Sequence, residues 1–405
     1  MPSAAHDAAL LASIGVRRGA PVPAPYAAAL RAVPRHLFLP GRIWVRDGHG
    51  GYRPLDRAAD PDAWARAAYS DQPLVTQLTD GVPTSSASMP SMVLYQLELA
   101  GIGGLARQRD SNSRDGIEAP RVLELGTGTG FNAGLLSALL GQDAVTTLEL
   151  DPALTTQAQR NLKSAGYAPT VIEADAVAGW PPGAPYDRIL ATFSVDRIPD
   201  PWRAQVRPEG SIVTPWYSDW TAYGMLTLAV AADGAAQGRF HPHGSYMTMR
   251  TPNGPHAATR PPSEPGGPAR RPDPDTAATA GTPATRTRLS PWAVSGDPDT
   301  EFHLGLTVPH TSYDWDTTGE HAPIRFALYG ADGSVAAVDY DGQQADEFTV
   351  TQSGRRRLWD ETEVAYARWE RLGRPGVERH GLTITPDSTH HVWLDDPGHR
   401  LTAIQ

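Results

Sequence analysis

The 405-residue chain contains no cysteine. That excludes disulfide frameworks, thiolate zinc sites and cysteine nucleophiles, though it does not identify a compartment. Long apolar runs are also missing. No stretch reaches the 18 or so residues needed to span a bilayer, and the first 20 residues lack the basic region and apolar core of a secretory signal. The expectation is a soluble cytoplasmic protein that meets no membrane. Basic charge is short: 35 Lys and Arg stand against 45 Asp and Glu, a net charge of −10, which argues against binding to nucleic-acid backbones. Hydrophobic residues (40%) and charged residues (20%) are both modest. Their place is taken by 39 Gly and 38 Pro, 77 of 405 positions, well above the usual share of about 12%.

The excess is unevenly spread. Residues 251–290 hold nine prolines and almost no large apolar side chain. Such a segment cannot offset its ordering entropy by burial, so a Pro/Gly-rich flexible linker is expected there. It would separate a domain at 1–250 from a small C-terminal α+β domain at 291–405. In that last region, Phe302–Val308, Ile324–Tyr329 and Val335–Tyr340 are expected as strands. Asp360 and Glu363 are expected to open a helix that Gly373 ends, and Leu382–Thr385 and His391–Leu394 to form a final hairpin.

In the first region, Val122–Leu125 is an apolar run ending in a glycine-rich turn, and Phe131–Leu140 has helical periodicity. Val145–Leu150, Thr170–Glu173, Tyr186–Thr192 and Ser211–Thr214 read as further strands. Pro152–Ala165 reads as a helix capped by Asp151 and stopped at Gly166. Strands alternating with helices predict a doubly wound, Rossmann-like parallel α/β sheet.

The turn reads Glu124-Leu-Gly126-Thr-Gly128-Thr-Gly130. A dinucleotide fingerprint places Gly or Ala five residues after its first glycine, and here Phe131 stands there, which is too large. The pattern resembles motif I of S-adenosylmethionine-dependent methyltransferases. That resemblance implies a class I methyltransferase domain in which Glu124, Gly126, Thr127, Gly128 and Gly130 contact the cofactor. Glu149 and Leu150 would meet the ribose, and Asp175 and Ala176 the adenine. Glu149 lies 19 positions beyond Gly130 at the end of a strand, where a carboxylate can accept ribose hydroxyls. Read without the resemblance, Glu149 and Asp175 are solvated strand ends.

Further motifs point to one family. Val33-Pro-Arg-His-Leu-Phe-Leu-Pro40, Ala68-Tyr-Ser-Asp-Gln-Pro-Leu74, Ser88-Met-Pro-Ser-Met92 followed by Tyr95–Leu99, Ala184–Asp187 and Gln205–Gly210 together resemble the protein-L-isoaspartate O-methyltransferases over roughly residues 25–220. The resemblance implies Ser88 as the active-site serine and S-adenosylhomocysteine as the second product. Thr192 and Phe193 end the fourth strand, at the carboxyl edge where substrates of such sheets lie, and read as lining residues rather than catalysts. Ser88 also reads simply as a cap of the helix opening near Pro90. The sequence departs from the family in an insertion at about 41–67, and the linker and C-terminal domain have no counterpart in the basic repair enzyme.

This longer plan resembles homologues found with ribosomally made lanthipeptides, lasso peptides and graspetides. It implies methylation of an aspartyl side chain in a modified precursor peptide, the ester closing to aspartimide and then possibly opening to isoaspartate, with residues 291–405 recognising the peptide. Repair of isoaspartyl proteins is the main alternative. A catalytically silent scaffold and a small-molecule methyltransferase are further ones. No metal is expected: His241/His243 and His390/His391 lack additional ligands. Arg355–Arg357 reads as a solvated turn or an attraction for an acidic peptide. Trp292, Trp359, Trp369 and Trp393 are expected in the core. Oligomeric state is left open by the sequence.

Overall fold

The computed structural model describes residues 4–48, 51–112, 119–251, 254–255, 283–317, 324–340 and 346–404. Most of the expected 251–290 linker lies outside the described residues.

Two amino-terminal helices, α1 (Ala4–Arg18) and α2 (Ala24–Ala32), lead through the short turn Arg35–Phe38 into a four-stranded antiparallel sheet. Its strands are β1 (Arg42–Arg46), β2 (Tyr52–Asp56), β3 (Leu74–Thr79) and β4 (Val82–Ala87), in the order β2-β1-β3-β4. The 41–67 insertion thus supplies the β1–β2 hairpin and most of α3 (Pro61–Ala68), whose Trp64 is buried. Helices α4 (Pro90–Leu99) and α5 (Ile102–Asn112) follow.

The sequence from residue 122 folds as its alternation dictates. Strands β5 (Val122–Leu125), β6 (Val145–Glu149), β7 (Thr170–Glu173) and β8 (Tyr186–Ala191) pair in parallel, with α6 (Phe131–Leu140) and α7 (Pro152–Ser164) as crossovers. Asp151 caps α7 through bonds from the Ala153 and Leu154 amides. A short helix α8 (Asp200–Gln205) precedes β9 (Val206–Pro215), parallel to β8, after which β10 (Met225–Val230) and β11 (Ala236–His241) add as an antiparallel meander. Because β5 lies between β6 and β8, its carboxyl end is a topological switch point, where ligands of open α/β sheets sit.

The C-terminal region departs from the sequence-based reading in three ways. First, strands His380–Ile384, His390–Leu394 and Arg400–Ile404 continue the main sheet, the first of them pairing with β11, so ten strands form one sheet. Val377, Leu382, Ile384, Val392 and Leu394 bury in the same core as Leu125, Ile189 and Leu226. A boundary at 291 therefore does not separate two independent cores. A second, five-stranded antiparallel sheet with the helix Leu358–Arg371 has its own core around Phe326 and Trp359. Second, of Phe302–Val308, expected as a strand, the residues up to Thr307 belong to the helix Pro298–Thr307, which Asp297 caps and Val308 ends. Its Phe302, Leu304 and Leu306 are all buried, and a continuous apolar run does not distinguish helix from strand. Third, the last long helix begins at Leu358, two residues before Asp360. Trp359, Trp369 and Trp393 are core residues as expected, whereas Trp292 is 45% exposed, against Trp315 and Tyr340.

Candidate active site

The glycine loop joins β5 to α6 with Gly126, Gly128 and Gly130 at φ of +93°, +53° and +89°. Side chains are strained in that region. At Gly126 the space is also taken: a Cβ there would lie 2.6 Å from the Thr192 hydroxyl and 2.9 Å from the Phe193 ring. The loop and the end of β8 are thus packed together, and Thr192 donates to the Gly126 carbonyl at 2.5 Å. Gly128 faces a different neighbour, since its Cβ would lie 3.9 Å from the Ser86 carbonyl oxygen. The sequence-predicted loop, Thr192, Phe193 and the Ser88 segment therefore converge at the carboxyl end of β5.

Glu149 closes this site from β6. It is buried, and its Oε2 accepts from the Gly128 amide at 2.8 Å while Oε1 accepts from the Leu150 and Asp151 amides at 3.0 and 3.1 Å. Three donors leave one lone-pair position on Oε2 for a hydroxyl. The Arg250 guanidinium stands 4.0 Å from Oε1. It is delivered by an extended segment, in which the Ser194 amide donates to the Met247 carbonyl and the Met249 amide to the Ser194 carbonyl. That segment therefore runs from the end of β8 towards the end of β6, passing the end of β5. No spacing or motif in the sequence signals Arg250. Asp175 follows β7, its Oδ1 capping a short turn through the Val177 amide, and the Ala176 carbonyl accepts from the Trp202 indole at 2.7 Å.

Glu124 and Thr127 are placed differently from the expectation of direct cofactor contact. Glu124 is fully buried behind the loop. Its oxygens accept from Asn132 Nδ2 at 2.7 Å and Thr147 Oγ1 at 2.5 Å, and Thr127 Oγ1 lies 2.6 Å from Thr147 Oγ1. With the Thr147 hydrogen directed to Glu124, Thr127 donates to Thr147. These side chains brace the loop from the rear. Desolvation pushes the Glu124 carboxyl up to about 7, against the lowering effect of its two hydrogen bonds.

Ser88 stands between β4 and α4 and is partly exposed. It is not the helix cap: Met89 occupies that position, without a side-chain bond to the helix. Instead Asp71, which sequence reasoning passed over, closes α4 by accepting the Ser91 amide at 2.8 Å. Helix α4 is tied to β8 by Gln96 Nε2, which donates to the Ala191 carbonyl at 2.6 Å. Of the histidine pairs, His241 bonds Thr227, His243 lies within hydrogen-bond distance of the Tyr223 hydroxyl, and buried His390 accepts from the Ile198 amide. Arg356 and Arg357 pair with Glu361 and Asp360. Among the described residues no group of three or more His, Asp or Glu can hold a metal, and no helix is long and apolar enough to cross a membrane.

The residues present fit S-adenosylmethionine. The loop glycines hold a left-handed turn at the end of β5, Glu149 keeps an acceptor position, and Asp175 Oδ2 is not engaged by any described residue.

Comparison with known proteins agrees with this geometry. The family profile for protein-L-isoaspartate(D-aspartate) O-methyltransferase matches residues 55–221. The chain is 39% identical over 150 residues to the protein-L-isoaspartate O-methyltransferase of Thermococcus onnurineus, covering 36% of this chain and 59% of that protein. With the Methanosarcina mazei protein of the same name it shares 33% over 189 residues, 46% of this chain and 61% of the other. The chain thus spans about three fifths of those two relatives. Among solved structures, one titled protein-L-isoaspartate O-methyltransferase aligns over 96% of this chain and 100% of its own, with a TM-score of 0.52 and 18% identity. That alignment extends over most of the C-terminal region, for which the sequence predicts no counterpart in the basic repair enzyme. The protein-L-isoaspartate O-methyltransferase of Anaeromyxobacter dehalogenans matches 48% of this chain at 34% identity over 199 residues, and since those residues make up 85% of that protein, the chain belongs to the protein-L-isoaspartate O-methyltransferase family.

Proposed function

We propose that this chain methylates the free carboxylate of isoaspartyl residues in proteins or peptides, with S-adenosylmethionine as donor. The observation that carries the reading is the convergence of the Gly126 loop, Thr192, Phe193 and the Ser88 segment at the switch point. When bound, S-adenosylmethionine supplies an electrophilic methyl group on a sulfonium. The acceptor needs no general base, because a peptide carboxylate with a pKa of about 3.9 is already ionised at neutral pH. The protein's task is alignment and exclusion of water, which can supply several kcal/mol. The Ser88 hydroxyl, with no partner among the described residues, donates to one carboxylate oxygen and leaves the other to attack. Thr192 and Phe193 form the opposing wall. Esterification removes the charge, and the following peptide nitrogen then attacks the ester carbonyl, closing a five-membered imide and releasing methanol.

A modified ribosomal precursor as substrate is less well supported. Its support is the longer plan of the chain, and a solved structure titled protein-L-isoaspartate O-methyltransferase aligns over 96% of that length. The deciding experiment offers matched Asp and isoAsp peptides with labelled donor, followed by mass spectrometry. Methyl gain and methanol loss confined to isoAsp peptides are expected. Turnover only on a constrained Asp-containing precursor would reject the repair reading.

A further inference from the structure

The Arg35 side chain is 1% exposed, and no carboxylate is bonded to it. Its Nη1 donates to the carbonyls of Ala68 (3.2 Å) and Ser70 (2.9 Å). Its Nη2 donates to those of Gln72 (3.0 Å), Ala87 (3.3 Å) and Ser88 (3.0 Å). One guanidinium thus holds the segment 68–72 and the β4–α4 connection together. Burying a cation is costly, and here desolvation draws the group down to about 10, with nearby Asp71 opposing. The five carbonyl bonds that offset this cost all fall on those two backbone segments. The neighbours of Arg35 tie it to the cofactor side as well. Val33 and Phe38 pack on Gly134 of α6, where a Cβ would lie 2.9 Å from Val33 Cγ1 and 3.1 Å from Phe38 Cζ. Gly130 of the glycine loop is the N-cap residue of helix α6.

We propose that Arg35 is the positioning residue of the methyl-transfer site, fixing the Ser88 main chain against the glycine loop and thereby the aim of the Ser88 hydroxyl. The proposal rests on the role given to Ser88 above. With its carbonyl held by Arg35, and Ser86 two residues earlier set against Gly128, the Ser88 peptide has little freedom to rotate. The fork geometry matters, because four Nη hydrogens serve five carbonyls on two segments. A lysine retains the charge but places its donors at one point.

The test is a double-mutant cycle on the full chain: Arg35→Lys, Ser88→Ala and both together, assayed with S-adenosylmethionine and an isoAsp peptide. Arg35→Lys is expected to lower kcat about 30-fold, in keeping with the cost of a misplaced reacting group. S-adenosylhomocysteine affinity by calorimetry is expected to stay unchanged, and the double variant to be no slower than the slower single variant. Multiplicative losses, or a parallel fall in affinity, would overturn the proposal, and so would a Ser88→Ala enzyme of full activity. If the lysine variant does not fold, Arg35→Gln enters the same cycle. If the wild-type chain turns over no isoAsp peptide, the functional reading fails by itself. Amide exchange then decides on Arg35: faster exchange at the Ser91–Val93 amides in the variant supports the clamp, and unchanged exchange rejects it.

Discussion

Asp71 closes the amino end of α4 across 20 positions of sequence: its Oδ1 accepts the Ser91 amide at 2.8 Å, while its Oδ2 accepts from Arg17 Nε at 2.8 Å. The carboxylate side chain is 2% exposed and the Arg17 side chain 50%. The two bonds should therefore differ in weight. Asp71→Ala removes a charged cap and exposes a buried amide, at a cost of roughly 1–3 kcal/mol. Arg17→Ala breaks a half-solvated pair worth about 1 kcal/mol or less. Urea midpoints measure both, and equal losses would contradict the capping role.

Glu149 carries the cofactor reading on β6. Glu149→Ala removes an acceptor and releases three main-chain donors of the site. A hydrogen bond to a charged group contributes about 1.5–3 kcal/mol, so affinity for S-adenosylhomocysteine should fall about 10- to 100-fold by calorimetry. Arg250 stands 4.0 Å from the same carboxylate with 36% of its side chain exposed. Its replacement by Ala should change affinity less than about threefold. A larger loss than at Glu149 would make Arg250 a direct ligand.

The Glu124 carboxyl, raised to about 7 by desolvation, gives a signature in pH. A group whose folded pKa lies above its unfolded value adds stability below the unfolded value, and this is lost as pH rises through the folded one. The wild type therefore loses stability relative to Glu124→Gln between about pH 5 and pH 8. Denaturation of both proteins across that range measures it, and parallel curves would mean that Glu124 is already ionised at the lower end.

The motif-bearing half of the fold was legible because its signals are local. Strand, glycine turn and helix between Val122 and Leu140 follow from short-range sterics, and Asp151 caps the helix it precedes. Bonds between distant segments left no such trace. Arg35 reaches carbonyls 33 to 53 positions away, and Asp71 caps a helix that the sequence assigned to Ser88. Glu124 was legible as an acid beside the loop, but its direction was decided by Asn132 and Thr147. The last strands could be recognised, yet their partner β11 is more than 130 residues upstream, separated by the proline-rich stretch, and no period links the two.

Three buried histidines, His303, His380 and His390, are hydrogen-bonded where the main sheet meets the C-terminal region. His390 Nε2 accepts from the Ile198 amide at 3.2 Å, so its proton is on Nδ1, which donates to the Ser388 carbonyl at 3.0 Å. His380 donates from Nδ1 to the Gly376 carbonyl and receives the Nδ1 proton of His303 on Nε2, both at 3.0 Å. Burial lowers His303 to about 3 and His380 and His390 to about 4. The depressed folded values mean stability present above the unfolded pKa of about 6.5 and lost progressively as pH falls towards the folded values. Protonating His390 also deprives the Ile198 amide of its acceptor. Acid should thus loosen the hairpin His380–Leu394 before the parallel strands β5–β8, visible as early amide exchange in the hairpin near pH 5. His390→Gln preserves an acceptor for Ile198 without a titrating group, so its unfolding between about pH 6.5 and 4.5 should take up about one proton fewer than the wild type. Identical slopes of stability against pH would show that His390 is already charged in the folded chain.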